Sequence, residues 1–136
     1  MNILVDTSVW SLFLRKNQKS SQEDKIALQL SIIIRDLRLI IISPIRQEIL
    51  CGISDRNKFI ELKNILSVFK DHKIETKDYE LAAELYNSCR SQGVQGSHID
   101  FLICSVSINN KISIMTLDKD FENYKKIIPI QIEAIE

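Results

Sequence analysis

Asp6, Glu48, Asp100 and Asp118 are the residues of this chain whose type and setting fit chemistry rather than packing alone. Each lies just after an apolar, strand-like run or in the first turns of a helix-like run. On a parallel α/β sheet, side chains in such places converge on the crevice at the carboxyl ends of the strands. Carboxylates gathered there cannot all stay ionised without a compensating cation. Oxygen-only donors suit a hard divalent ion, Mg2+ or Mn2+, and such ions in turn grip phosphates. No cluster of histidines and cysteines competes for the role. His72 lies in a polar turn and His98 beside a helix start, where surface or capping roles suffice.

Each acid also has a structural explanation of its own. Asp6 opens a helix and suits an N-cap. Glu48 sits on the second turn of its helix, where a solvated glutamate is ordinary and the helix dipole favours it. Ser97-x-x-Asp100 fits a capping box. Asp118 and Asp120 both follow the apolar run at 112–116, and either suits the start of a short helix. The set favours chemistry: separate junctions each offer an acid, and one metal site accounts for all of them.

The elements that must position these acids alternate along the chain. Ile3-Leu4-Val5 reads as a buried parallel strand, and residues 9–14 as a helical turn or two. Residues 15–21 form a polar, partly basic loop. Ile26, Leu30, Ile33, Ile34 and Leu37 follow helical spacing and predict an amphipathic helix over 22–36. A second strand is expected at 39–42. Ser43-Pro44 reads as a helix start, with a capping hydroxyl before a proline at the first position. Residues 55–70 and 77–91 read as helices, with a short strand at Lys73-Ile74-Glu75 between them.

Two of the three glycines fall within 91–97, which predicts a flexible loop. Ile99, Leu102, Ile103 and Val106 form the stripe of the next helix. A strand at 111–116, a short helix at 118–124 and a last strand at 128–132 follow. This alternation predicts a single domain, 1–136, built as a three-layer α/β/α sandwich around a mostly parallel sheet.

The 136 residues suit one domain, and 45% hydrophobic with 26% charged residues supports a real core. Eighteen basic residues balance eighteen acidic ones, unlike a general nucleic-acid coat protein. Setting the four candidate acids aside for a metal leaves a basic excess. Cys51, Cys89 and Cys104 are odd in number and lack a CxxC spacing, so buried free thiols in a reducing cytosol are expected. The start of the chain has no basic n-region, and the greasiest stretch, 26–42, is broken by Arg35, Asp36 and Arg38. Neither a secretory signal nor a membrane span is expected.

The motifs Ile3-Leu4-Val5-Asp6-Thr7-Ser8, Ser43-Pro44-x-x-x-Glu48-Ile49, Ile99-Asp100-Phe-Leu-Ile-Cys and Thr116-Leu-Asp118-Lys-Asp120-Phe121, in this order, resemble a PIN domain. More narrowly, they resemble the toxin nuclease of a VapC-type toxin–antitoxin pair. The resemblance covers almost the whole chain. It implies a small cytoplasmic ribonuclease that depends on Mg2+ or Mn2+, cleaves RNA, often pairs as a homodimer and is held inactive by an antitoxin. The family's acids fall on Asp6, Glu48, Asp100 and Asp118, with Asp120 a substitute or helper for the last. Thr7 and Thr116 match positions whose hydroxyls support the acids. Alanines usual after the third acid are here Cys104, Ser105 and Ser107, a change that bears on helix packing.

Basic residues in the 15–19 loop offer a grip for flanking phosphates, or form a solvated turn. The apolar faces of the helices beginning near Gln22 and Asp55 exceed what one core needs, which points to a homodimer seam.

Rival readings meet the residues less well. A receiver-type phosphoacceptor normally carries adjacent acids after the first strand and an Asp at the end of a middle strand. Asp6 stands alone, and the 39–43 segment ends without one. A phosphatase of the haloacid-dehalogenase type wants Asp-x-Asp where this chain has Asp6-Thr7-Ser8. A catalytically silent α/β module that only binds a partner protein is the alternative from another class.

Overall fold

Three consecutive aliphatic residues form β1 (Ile3–Val5), and none of them has any exposed surface. Only a strand with neighbours on both sides and helices over both faces is sealed so completely. The computed structural model, which describes all of residues 1–136, places β1 in the middle of a parallel sheet. β2 (Leu39–Ile40) and β3 (Ser113–Met115) flank it in the order β2-β1-β3. Single parallel bridges extend both edges, Ile41 to Asp71 beyond β2 and Ile114 to Ile132 beyond β3.

Seven helices surround the sheet: α1 (Thr7–Leu14), α2 (Ser21–Arg35), α3 (Ser43–Leu50), α4 (Arg56–Leu66), α5 (Thr76–Ser91), α6 (His98–Asn110) and α7 (Asp120–Lys125). α1 packs on α2 and α3, and α3 on α4. α5 packs on α6, which lies along β3. The result is the expected three-layer α/β/α sandwich, with one hydrophobic cluster of 27 buried residues running through it. No helix is long and apolar enough to cross a membrane.

Local chemistry sets the element ends. α2 opens with a complete capping box: Glu23 N–H donates to Ser20 Oγ at 3.1 Å, and Ser20 N–H donates to Glu23 Oε1 at 2.9 Å. At α4 the Asp55 carboxylate accepts from the N–H groups of Asn57 and Lys58. α6 differs from the amphipathic stripe that its sequence suggests, because every residue from Phe101 to Ser107 is buried. A helix enclosed on all sides must satisfy its polar side chains internally. Ser105 Oγ donates to the Leu102 carbonyl at 2.9 Å, and Ser107 Oγ donates to the Ile112 carbonyl.

Several sequence expectations need correction. Ser43 does not cap α3: Ile42 holds the N-cap position, and the Ser43 hydroxyl donates to Asp71 Oδ2 at 3.0 Å. The strand expected at 73–75 is absent, and the pairing falls instead at Asp71, whose carboxylate is held by Ser43 and Arg46. The strand expected at 128–132 reduces to the bridge at Ile132, since Pro129 has no N–H to offer a ladder. α4 ends at Leu66, short of residue 70. Cys89 and Cys104 are buried, whereas Cys51, just past α3, is exposed.

Arg46 ties these parts together. Its guanidinium donates to the Asp71 carboxylate at 3.0 Å, to the Leu66 carbonyl at 2.8 Å and to the Phe69 carbonyl. It thus caps the end of α4 and pins α3 to the sheet edge. A planar fork makes all these bonds at once, and an ammonium cannot. Arg46→Lys is expected to destabilise the fold by about 1.5–3 kcal/mol, the range for hydrogen bonds to charged groups. Equilibrium denaturation in urea provides the measurement.

Candidate active site

The parallel register of the two central strands builds the site. Val5 stands opposite Met115, and Asp6 N–H donates to the Met115 carbonyl at 2.9 Å. The next residues along, Asp6 and Thr116, are therefore neighbours at the carboxyl ends of β1 and β3. Thr116 Oγ1 donates to Asp6 Oδ2 at 2.8 Å, and Ser8 Oγ donates to the same oxygen at 2.9 Å. Each hydroxyl also accepts a backbone N–H, from Asp118 at 3.0 Å and from Leu117 at 2.9 Å respectively. The two hydroxyls thus relay backbone donors to one carboxylate oxygen, and in doing so strap the 116–118 segment against Asp6. Asp6 occupies the N-cap position of α1, yet its side chain makes no capping bond.

The other acids arrive from separate elements. Glu48, exposed on α3, accepts a bond from Thr7 Oγ1 at 2.7 Å. Thr7 follows Asp6, so this bond carries Glu48 to the site. Asp100 lies in the first turn of α6. Only half of the expected capping box forms: Asp100 N–H donates to Ser97 Oγ at 3.0 Å, but the Asp100 carboxylate turns elsewhere and accepts from Tyr124 Oη at 2.7 Å. Asp118 Oδ1 accepts from Asp120 N–H at 2.9 Å, which makes Asp118 the turn residue before α7.

The charges of Asp6 and Asp118 act on Asp100. Burial pushes the Asp100 carboxyl above the usual range. The charges of Asp118 and Asp6 push the same way, against the hydrogen bonds from Tyr124 and Ser97. Tyr124 is raised by burial, by its bond to Asp100, and by the charges of Asp100, Asp120 and Asp118. Asp120 is exposed, and its charge is felt at Tyr124. Beneath the acids the Cys104 thiol is raised too, by burial first and then by the charges of Asp100, Cys89 and Asp6. It forms an inert floor rather than a nucleophile.

One pattern runs through Asp6, Glu48, Asp100 and Asp118. In each carboxylate the protein's donors reach a single oxygen, and the other accepts no hydrogen bond from the chain. The only buried side-chain polar atom without a partner is Trp10 Nε1, so the free oxygens of Asp6, Asp100 and Asp118 are open to solvent. A donor set made of oxygens alone fits Mg2+ or Mn2+ and does not suit a softer ion. No three acidic, histidine or cysteine side chains stand close enough to grip an ion together.

The remaining expectations divide. His98 is exposed with its ring edge against Tyr86, and His72 is half-buried beside the sheet edge. The basic 15–19 loop is committed within the chain. Arg15 pairs with Glu23 at 2.6 Å, Lys16 with Glu61 at 2.9 Å, and Lys19 Nζ donates to the Arg15 carbonyl. Two residues were not anticipated as parts of the site. Ser8 reads in sequence as one more capping residue, and its place beside Thr7 was the available signal. Tyr124 gave none, because 24 residues and a strand separate it from Asp100.

The family model of the PIN domain matches residues 3–127. The chain belongs to the PIN domain family. No protein of curated function matches it significantly. Among solved structures, FitAcB from Neisseria gonorrhoeae is similar at 16% identity and a TM-score of 0.77, covering 97% of this chain and 96% of that one. VapBC2 from Rickettsia felis, bound to a DNA fragment from its promoter, is similar at 17% identity and a TM-score of 0.77, covering 98% of each chain. A toxin–antitoxin complex from Klebsiella pneumoniae gives 17% identity and a TM-score of 0.65, covering 96% of this chain and 100% of that one. At such identities the likeness is one of fold.

The raised Asp100 has a consequence for stability. Its ionised form is disfavoured in the folded state, so the fold is relatively favoured below the ordinary value of 3.8 and loses that contribution as pH rises through the folded-state value. In metal-free buffer, Asp100→Asn is expected to melt a few degrees above the parent at neutral pH. The gain should shrink towards zero as pH falls below 3.8. Calorimetry in EDTA across that range measures it.

Proposed function

We propose that this chain is a divalent-metal-dependent endoribonuclease and the cytoplasmic toxin of a type II toxin–antitoxin pair. The observation that carries the reading is the acid set. Asp6, Glu48, Asp100 and Asp118 come from four elements, each anchored by one oxygen with the other left free. In a PIN fold such carboxylates suit Mg2+ or Mn2+, and Asp6, Glu48, Asp100 and Asp118 would hold the ion. Asp118, whose charge bears on Asp100, is the better fourth ligand, and the exposed Asp120 is a helper at the rim. When bound, the ion lowers the pKa of water and neutralises charge on the scissile phosphate.

The chain's own residues do the rest. Thr116 and Ser8 hold Asp6 still, and Thr7 does the same for Glu48. Water attacks the phosphorus in line with the departing ribose oxygen. Glu48 or Asp118 accepts the water's proton through its free oxygen, both being accessible at the mouth of the site, and the departing ribose oxygen takes up a proton from solvent. Likeness to a toxin–antitoxin complex supports the assignment of an antitoxin partner. Exposed Leu28 and Ile32 on α2, and Ile60 and Ile65 on α4, support self-association as a homodimer.

Purified protein incubated with total RNA and Mn2+ should yield discrete cut ends. Asp6→Asn should reduce cleavage by roughly 100-fold or more, the scale on which a charge-stabilising group matters in a transition state. Wild-type rates in that variant would remove the nuclease assignment. The alternative, a silent partner-binding module, predicts indifference to the ion. A true site instead raises the melting temperature, since Mn2+ at about 100 times its Kd adds about 2.7 kcal/mol.

A further inference from the structure

We propose that Tyr124 is a positioning residue for Asp100: its hydroxyl, wedged over Gly96, holds one carboxylate oxygen and leaves the other for the divalent ion. This rests on the metal-site reading given above. The Tyr124 hydroxyl donates to Asp100 Oδ2 at 2.7 Å. Its position is fixed from several sides. Tyr124 is fully buried, with its ring 4.9 Å from the Phe101 ring and 5.2 Å from the Phe121 ring.

Gly96 closes the remaining side. A Cβ at that position would lie 2.3 Å from Tyr124 Oη, 2.7 Å from Cζ and 2.9 Å from Phe101 Cε2. These are distances that no packed side chain tolerates. Gly96 is therefore required for space, and the loop at 91–97, which its glycines mark as flexible in the sequence, holds a close contact at this point. The tyrosine ring cannot swing towards Gly96, and Phe101 and Phe121 restrain it from other directions. Asp100 in turn cannot leave the hydroxyl without stranding a buried phenol, which is costly.

The arrangement gives Asp100 what Ser8 and Thr116 give Asp6. As with Thr116 and Asp6, donor and acid come from different parts of the chain, Tyr124 from α7 and Asp100 from α6. Coupling of this kind between a ligand and an outer hydrogen-bond partner governs metal affinity, typically by 10–100-fold.

The test is Mn2+ binding, read by the electron paramagnetic resonance of free Mn2+, at a temperature where each protein is folded. Tyr124→Phe keeps the ring and removes the hydroxyl, and it should weaken Mn2+ binding roughly 10-fold or more. Gly96→Ala keeps the hydroxyl but displaces the ring, and should weaken binding likewise. In RNA cleavage, both should need more Mn2+ for half-maximal rate and recover most of the rate at saturation. Leu85→Ala truncates a core residue on α5, and should lower the melting temperature without changing Mn2+ affinity. Unchanged Mn2+ affinity in folded Tyr124→Phe and Gly96→Ala overturns the positioning role, as does a loss no greater than that in Leu85→Ala. Failure of the wild-type protein itself to bind Mn2+ would overturn the metal-site reading, and the positioning role with it.

Discussion

The register of β1 against β3 is the constraint on which the site depends. Val5 opposite Met115 makes Asp6 and Thr116 neighbours at the carboxyl ends of the two strands. A slip of one residue would turn Ile3 and Val5 to the other face and carry the Asp6 carboxylate away from the Thr116 hydroxyl. The sealing of β1 therefore does more than hold the core. It converts the burial of aliphatic side chains into placement of an acid beside its donors. The strapping of Leu117 and Asp118 to Ser8 and Thr116 extends that placement to the next acid along.

Some acids of this protein are held by the chain at both oxygens. Asp78 is almost wholly buried, and both of its oxygens are occupied, one by Glu75 N–H and one by Asn109 Nδ2. Asp71 is likewise held at both oxygens, by Ser43 and by Arg46. Glu23 accepts from Ser20 at one oxygen and from Arg15 at the other, and its carboxyl falls to about 2, chiefly through the Ser20 backbone bond. These are structural carboxylates, fully satisfied by the chain. The four candidate ligands are satisfied at one oxygen only.

Much of this was legible beforehand, and the limits have physical causes. The sandwich followed from alternating apolar runs, because burial on both faces of a parallel strand leaves an unmistakable aliphatic signature. The PIN-like motifs were legible too, since strand ends with nearby capping residues are local features, and the PIN family model matches residues 3–127. Edge pairing was not legible. At Asp71 and Ile132 it is a single bridge, set by side-chain bonds from Ser43 and Arg46 in one case and by a proline in the other. The all-round burial of α6 was hidden for a related reason: the stripe of Ile99, Leu102, Ile103 and Val106 marks one face only, and Ser105 and Ser107 can be buried because their hydroxyls bond back to main-chain carbonyls. Tyr124 was invisible because its partner lies in another element and only tertiary packing brings them together.

The same arrangement sets stability against function. Asp100 is held in a partly buried place beside Asp6 and Asp118, where ionisation is disfavoured by desolvation and by like charge. Folding without a cation must overcome that cost, and the core of aliphatic residues around β1 and α6 supplies the means. Local rules are broken where a site demands it and offset elsewhere in the fold. Asp6 forgoes the capping bond that its position invites, and Asp100 forgoes half of its capping box. In both cases the carboxylate gives up a backbone N–H for a hydroxyl of the site. That exchange does nothing for the helices, and it fixes the orientation of the two carboxylates.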